Sequence, residues 1–172
     1  YGGMAVLYRT NAQSRAVEEA FLKQGLPYTI VGGVKFYDRK EIKDMLAYLR
    51  LIQNPADSVS FRRIVNAPRR GVGDMSLGYL QTAADQAGLS LFEMAKRIHT
   101  VTTIGAKAKG ALVDLVRLME RLREAAGNDS VADLITRVMK ESGYVAELEQ
   151  EGTPEAQSRV ENLQELLTVA RE

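Results

Sequence analysis

Apolar positions follow two different rhythms along this chain. Near the start, Met4, Ala5, Val6, Leu7 and Tyr8 form an unbroken apolar run. That is the pattern of a strand buried on both faces of a parallel sheet. Tyr28 to Val31 reads as a second strand. Between them Thr10 and Asn11 offer a helix N-cap, and helix formers continue to Gln24. Gly25 suits the position just past the last turn, and Pro27 prevents continuation. The prediction is a short βαβ stub. Two strands are fewer than a parallel sheet usually holds, so the stub reads as the edge of a larger sheet.

After Gly32-Gly33, a plausible joint, the rhythm becomes helical. Ile42, Met45, Leu46, Leu49 and Ile52 recur at helical spacing after a capping-box-like Asp38-Arg39-Lys40-Glu41, and Asn54-Pro55 stops the run. Asp57 or Ser58 opens a short helix carrying Phe61, Ile64 and Val65, ended by Pro68. A helix over 74–87 carries Leu77, Leu80, Ala83 and Ala84. Ser90 caps the next, which runs through Ile98. A long helix over 106–126 places Leu112, Leu115, Val116, Met119 and Leu122 on one stripe. Ser130 caps a helix that ends at Gly143, and a last helix begins near Pro154 with Val160, Leu163, Leu166 and Leu167 apolar. The fold class predicted is mainly α: an all-helical domain with short connections, preceded by the βαβ stub.

A length of 172 residues suffices for one good core, or one domain plus part of another. The chain has no cysteine, which excludes disulfides and thiolate metal sites and fits a reducing cytoplasmic compartment. The single histidine, His99, cannot build a metal cluster and reads as a surface or helix-end residue. No apolar run is long enough to span a membrane and no signal peptide is visible, so no membrane partner is expected. The net charge of +1 hides a division. Residues 1–73 carry twelve Lys or Arg against six Asp or Glu, whereas residues 74–172 carry eleven against sixteen. The division fits a nucleic-acid face on one side, or a mixed surface that happens to segregate along the chain.

No G-x-x-x-x-G-K-[ST] occurs, so the chain has no P-loop. Gly105-Ala106-Lys107-Ala108-Lys109-Gly110 has the glycines and lysines but not the order. A nucleophile elbow, a recognisable carboxylate pair and a metal-ligand cluster are also missing. The chain by itself is expected to catalyse nothing and to bind no cofactor. The strongest binding element is Pro68-Arg69-Arg70-Gly71-Val72-Gly73-Asp74, between two helices. Two glycines around one apolar residue permit a tight hairpin with outward N–H groups, and the next helix start is a seat for phosphate. The pattern looks like a helix-hairpin-helix clamp on a DNA backbone. The bland alternative is a glycine turn with solvated arginines. Lys107, after Gly105, is a second candidate of the same kind with only one hairpin glycine. The turn at Arg9, Thr10, Asn11, Gln13 and Arg15 suits a phosphate or a nucleic-acid strand, or is a capped turn with solvated arginines. Tyr8 beside it reads as core. Lys35, Arg39, Lys40 and Lys43 read as a solvated basic face, and Glu147 to Glu165 as a solvated acidic one. Ala-Gln-Ser-Arg occurs at 12–15 and at 156–159, which reads as coincidence.

The wording of these segments resembles a known family. Ala5-Val6-Leu7-Tyr8-Arg9-Thr10-Asn11-Ala12-Gln13-Ser14-Arg15 is similar to motif IVa of superfamily 1 DNA helicases of the UvrD, PcrA and Rep group. The resemblance continues through Pro27 to Gly33, Phe36 to Asp44, Leu46 to Arg50 and Arg69 to Gly73, and ends in Ser158-Arg159-Val160-Glu161-Asn162-Leu163. It implies an internal fragment: residues 1–33 from the RecA-like α/β motor domain called 2A, and 34–172 from the inserted 2B subdomain. It further implies 3′-to-5′ unwinding in the parent protein, driven by ATP with Mg2+ held elsewhere, and a role in repair or replication. Arg9, Thr10, Asn11 and Arg15 would lie along single-stranded DNA. Arg69, Arg70, Gly71, Val72 and Gly73 would grip duplex DNA, with Val72 in place of the family's Ile; Lys107 is counted with them on its loop pattern alone. The remaining helicase domains would be partners. The rival expectation is a helical protein-interaction module that binds no DNA.

Overall fold

Amphipathic stripes and strong caps account for the helices. The computed structural model describes residues 3–171. Its α-helices are α1 (Ser14–Lys23), α2 (Lys40–Gln53), α3 (Ser58–Ile64), α4 (Asp74–Ala87), α5 (Leu91–Lys96), α6 (Ala106–Ala125), α7 (Val131–Glu141), α8 (Tyr144–Glu151) and α9 (Pro154–Arg171). Short 3-10 turns lie at Asn11–Gln13, Phe36–Asp38 and Ile98–Thr100. Side-chain oxygens take up helix-start N–H groups where the sequence offers them. Asp57 accepts from the Ser60 N–H at 2.9 Å, Ser90 from the Glu93 N–H at 3.2 Å, and Ser130 from the Asp133 N–H at 3.2 Å. The expected cap at Asp38 does not form. Arg39 is the N-cap of α2, and Asp38 stays on the surface, 2.8 Å from the Lys43 ammonium. Helix α8 escapes the hydrophobic rhythm. It is eight residues long, and Gly143 and Gly152 bound it at φ of 78° and 61°.

Helix α2 sits at the centre, packed against α3, α6, α7 and α9, while α5 joins α4 to α6. Phe36, Ile42, Tyr48, Phe61, Phe92, Leu112, Met119 and Leu163 are among the fully enclosed side chains of the core. Each such burial stabilises the fold by roughly 1.5–3 kcal/mol. The core begins at Phe36: among the described residues, no earlier side chain belongs to it.

The βαβ stub is not there. Among the described residues no strand or sheet forms, and the architecture is helical throughout. Met4, Val6, Leu7 and Val31 are exposed, Leu7 by 94%. The physical reason is the ladder. An extended segment needs a partner for its N–H and C=O groups, and two short strands alone are marginal in water. The apolar run encoded the burial of these residues, but no surface that would bury them lies within the described chain. The intervening helix does form, and it docks by polar contacts instead of covering a sheet.

Those contacts form a buried chain of hydrogen bonds. Arg39 donates to Asn162 Oδ1 and to Ser14 Oγ, each at 2.7 Å. Asn162 donates to Glu41 Oε1 at 2.6 Å, and Ser14 Oγ donates to Glu18 Oε1 at 2.7 Å. Glu18 also accepts the Phe36 N–H and the Tyr28 hydroxyl. Ser14, Glu18, Arg39, Glu41 and Asn162 are all buried. Burial pushes the Arg39 guanidinium below its usual pKa, and Glu18 and Glu41 oppose that shift. Arginine remains charged under any ordinary condition, so the network holds a buried cation. Arg15 adds ion pairs to Glu165 at 2.6 Å and Glu19 at 3.0 Å.

Candidate nucleic-acid interface

The hairpin after α3 is held from inside by Asn66. Its Oδ1 accepts the N–H groups of Arg70 and Val72 at 3.3 and 3.2 Å, and its Nδ2 donates to the Val72 carbonyl at 2.6 Å. Val72 is buried and pins the loop to the core. Gly71 takes φ of 74°, a left-handed conformation that side-chain-bearing residues resist. Gly73 is the N-cap of α4, extended, with no side chain over the helix start. First-turn N–H groups have no partner within a helix. They are therefore open to an outside acceptor.

The loop before α6 repeats this arrangement. Ile104 is buried as Val72 is, and Gly105 is an extended N-cap without a side-chain cap. The backbone angles of the two caps nearly coincide, at φ −70°, ψ 161° for Gly73 and φ −67°, ψ 154° for Gly105. Lys107, in the first turn of α6, reaches toward the hairpin. Its Cε lies 3.7 Å from the position a Cβ on Gly71 would take. The structure thus brings both hairpin candidates, Gly71-Val72-Gly73 and Lys107, into one place. Asp74 is the acidic residue in the first turn of α4, and the first turn of α6 has none.

The two arginines of the hairpin diverge. The Arg69 side chain is exposed, while its backbone N–H donates to Glu147 Oε1 at 2.9 Å. Arg70 turns inward. Its guanidinium donates to the Ile64 carbonyl at 2.8 Å and to the Tyr48 hydroxyl at 2.6 Å, with longer contacts to the carbonyls of Val65 and Pro68. It closes the end of α3. Burial pushes the Tyr48 hydroxyl above its usual pKa, with Arg70 opposing, so it stays protonated and donates to the Ala67 carbonyl at 2.7 Å. Arg70 is a positioning residue for the loop.

At the front turn, Gln13 Oε1 accepts the N–H groups of Arg9 and Thr10 at 2.9 and 3.3 Å, fixing the chain's entry into α1. Arg9 is exposed, and Asn11 Nδ2 reaches Ser158 Oγ at 3.5 Å. Arg15 stands apart from them, buried in its ion pairs with Glu165 and Glu19. Tyr8, Arg9, Thr10 and Asn11 line a pocket of about 360 Å3 whose far wall is Pro154, Gln157, Ser158 and Glu161 of α9. Sequence reasoning missed that wall, and it gave Tyr8 to the core. No local pattern could have found the wall, because the two sides of the pocket lie about 150 residues apart in sequence.

A site for ATP and Mg2+ does not fit these residues. The phosphate-cradling P-loop is missing from the sequence, and among the described residues no group of three or more His, Asp or Glu is placed to hold a metal ion. No described helix is long and apolar enough to cross a membrane.

Comparison with known proteins identifies the family. The family described as the UvrD-like helicase C-terminal domain matches residues 1–172. The ATP-dependent DNA helicase PcrA of Bacillus subtilis is 48% identical over 168 residues, covering 98% of this chain and 23% of that protein. PcrA of Leuconostoc citreum is 42% identical over all 172 residues, again 23% of the longer protein. PcrA of Staphylococcus epidermidis is 41% identical over 172 residues and 24% of its length. The chain therefore spans about a quarter of the length of these relatives. With a match along its whole length, the chain belongs to the UvrD-like helicase C-terminal domain family.

Proposed function

We propose that this chain is the DNA-gripping part of a PcrA-like, ATP-dependent 3′-to-5′ DNA helicase. Residues 1–33 belong to motor domain 2A and residues 34–172 to subdomain 2B. ATP with Mg2+ is bound by the remaining domains of the longer protein, against which the exposed Met4, Val6, Leu7 and Val31 would pack. The chain's own share is sequence-independent binding of duplex DNA through the paired helix starts at Gly73 and Gly105. Arg69 and Lys107 supply charge, Gly71 and Val72 supply loop shape, and Arg70 holds the loop from behind. Arg9, Thr10 and Asn11 meet single-stranded DNA, with Arg15 holding their helix in place. A cytoplasmic protein serving repair or replication is the setting that fits.

The observation that carries the duplex assignment is the reach of the Lys107 side chain, from the uncapped first turn of α6, to the Gly71 hairpin that leads into the uncapped start of α4. Backbone N–H groups and a positive helix end favour phosphate without reading base sequence. The test is titration of the chain with blunt duplexes of unrelated sequence at several salt concentrations. Arg69→Ala and Lys107→Ala should each weaken binding equally for all duplexes and lower the magnitude of the salt slope by roughly one. If both variants bind duplex like the parent chain, the hairpins are structural turns and the chain is a protein-interaction module.

A further inference from the structure

The front turn does not form its pocket alone. The second wall comes from α9, distant in sequence: Pro154, Gln157, Ser158 and Glu161. The volume of about 360 Å3 falls in the range of roughly 300–1,000 Å3 that holds small organic ligands. The lining has the parts a nucleotide needs. Tyr8, 37% exposed, offers a ring for a base to stack on. Arg9 offers a cation, and Asn11, Gln157 and Ser158 offer amide and hydroxyl groups that donate and accept. Glu161 repels phosphate. A strand passing here keeps its backbone toward Arg9 and its sugar or base edge toward α9.

Building on the reading of the front turn as a single-strand contact, we propose that Gln157 and Ser158 complete that site, so that one nucleotide is held between the front turn and α9. The two walls belong to parts joined by buried polar bonds. Arg39 bridges Ser14 of α1 to Asn162 of α9, and Arg15 of α1 pairs with Glu165 of α9. A nucleotide bound across that joint favours the arrangement in which both walls are assembled, because it has differential affinity for that state. Single-strand occupancy and the seating of the helical body on the front segment are thereby linked. Separation would uncover chiefly the polar groups of that joint, which water can solvate.

The test uses the full chain, a labelled mixed-sequence single-stranded oligonucleotide and a blunt duplex, with binding read by fluorescence anisotropy. Gln157→Ala, and Ser158→Tyr, which fills the pocket, should each weaken single-strand binding about three- to tenfold, the worth of a typical hydrogen bond. Duplex binding should not change. Arg9→Ala serves as the reference. If Arg9→Ala binds single strand like the parent chain, the reading of the front turn fails and this inference falls with it. If Arg9→Ala weakens binding while both α9 variants do not, the α9 wall alone is overturned. Hydrogen exchange on the unsubstituted chain decides independently of variant folding. The oligonucleotide should slow amides at both 9–13 and 157–160, and protection confined to 9–13 overturns the proposal.

Discussion

Arg69 and Arg70 are neighbours with opposite duties. Arg70 donates its guanidinium fork to the carbonyl end of α3 and to Tyr48, so Arg70→Ala strips hydrogen bonds from the buried residues Ile64 and Tyr48. We expect a loss of about 1–3 kcal/mol in urea unfolding for Arg70→Ala, and close to none for exposed Arg69→Ala. Arg70→Lys should recover little of that loss, because an ammonium cannot span carbonyl and hydroxyl in one plane. Asp57 gives a pH-dependent case. The Ser60 hydroxyl, then the Ser60 N–H, hold its carboxyl below the usual carboxylate range. A depressed carboxyl stabilises the fold above its unfolded pKa, and the contribution is lost as pH falls through the folded value. Asp57→Ala should cost about 1 kcal/mol near neutrality, and the cost should shrink on acidification below about pH 4. Equal costs at neutral pH and at about pH 3 would refute the cap's role. At this scale the sequence was half legible. It marked Gly71 and Gly73 as a tight turn between two helices, which the structure shows, since glycine spacing is local information. It had no means of telling Arg69 from Arg70, because orientation depends on Tyr48, twenty-two residues away.

Among elements, rhythm and caps were the reliable signals. The stripes of α2, α4, α6 and α9 and the caps at Asp57, Ser90 and Ser130 lie where periodicity and cap chemistry put them. Helix α8 was invisible because two turns give periodicity too little length, while its bounding glycines read simply as breakers. The strand predictions at Met4 to Tyr8 and Tyr28 to Val31 failed for a different reason. An apolar run encodes burial, and burial by a sheet needs other strands. Arg39 illustrates a third kind of miss. It sits in a run with Lys35, Lys40 and Lys43 that resembles a solvated face, yet it is buried between α1 and α9. Its partners are 25 and 123 residues away, beyond any local pattern. The network makes a strong prediction. Asn162→Ala removes the acceptor for Arg39 and the donor for Glu41 together, leaving two buried charged groups short of a partner. The expected cost is roughly 3 kcal/mol, measured as a shift in the urea midpoint at constant slope. Asn162→Asp, which restores an acceptor but places a carboxylate beside Glu41, should recover only part of it. A cost near zero for Asn162→Ala would mean that water replaces the bonds freely and that the joint is not dry.

At the scale of the whole molecule, the chain divides its stability unevenly. Everything from Phe36 onward shares one apolar core, whereas the residues before it hold on by ion pairs and hydrogen bonds around Ser14, Arg15 and Glu18. Amide exchange reads this division directly, because each amide reports the free energy of the opening that exposes it. Amides at 4–8, exposed and without helix or ladder, should exchange fastest. Those in α6, whose Leu112, Leu115, Met119 and Leu122 are enclosed, should exchange slowest, near the limit set by global unfolding. Helix α1 should fall between them, since it can detach by breaking polar contacts without opening the core. The order has a second consequence. Asn162→Ala should accelerate exchange in α1 well beyond its effect on the other helices, because it cuts the bond that ties Arg39, and through it Ser14, to α9. Raising the salt concentration should accelerate α1 in the unsubstituted chain through the Arg15 pairs, and only weakly, since that guanidinium is buried and poorly screened. If α1 and α6 exchange at one common rate under all these conditions, the chain opens as a single cooperative unit, and the front segment is as firmly part of the fold as the core itself.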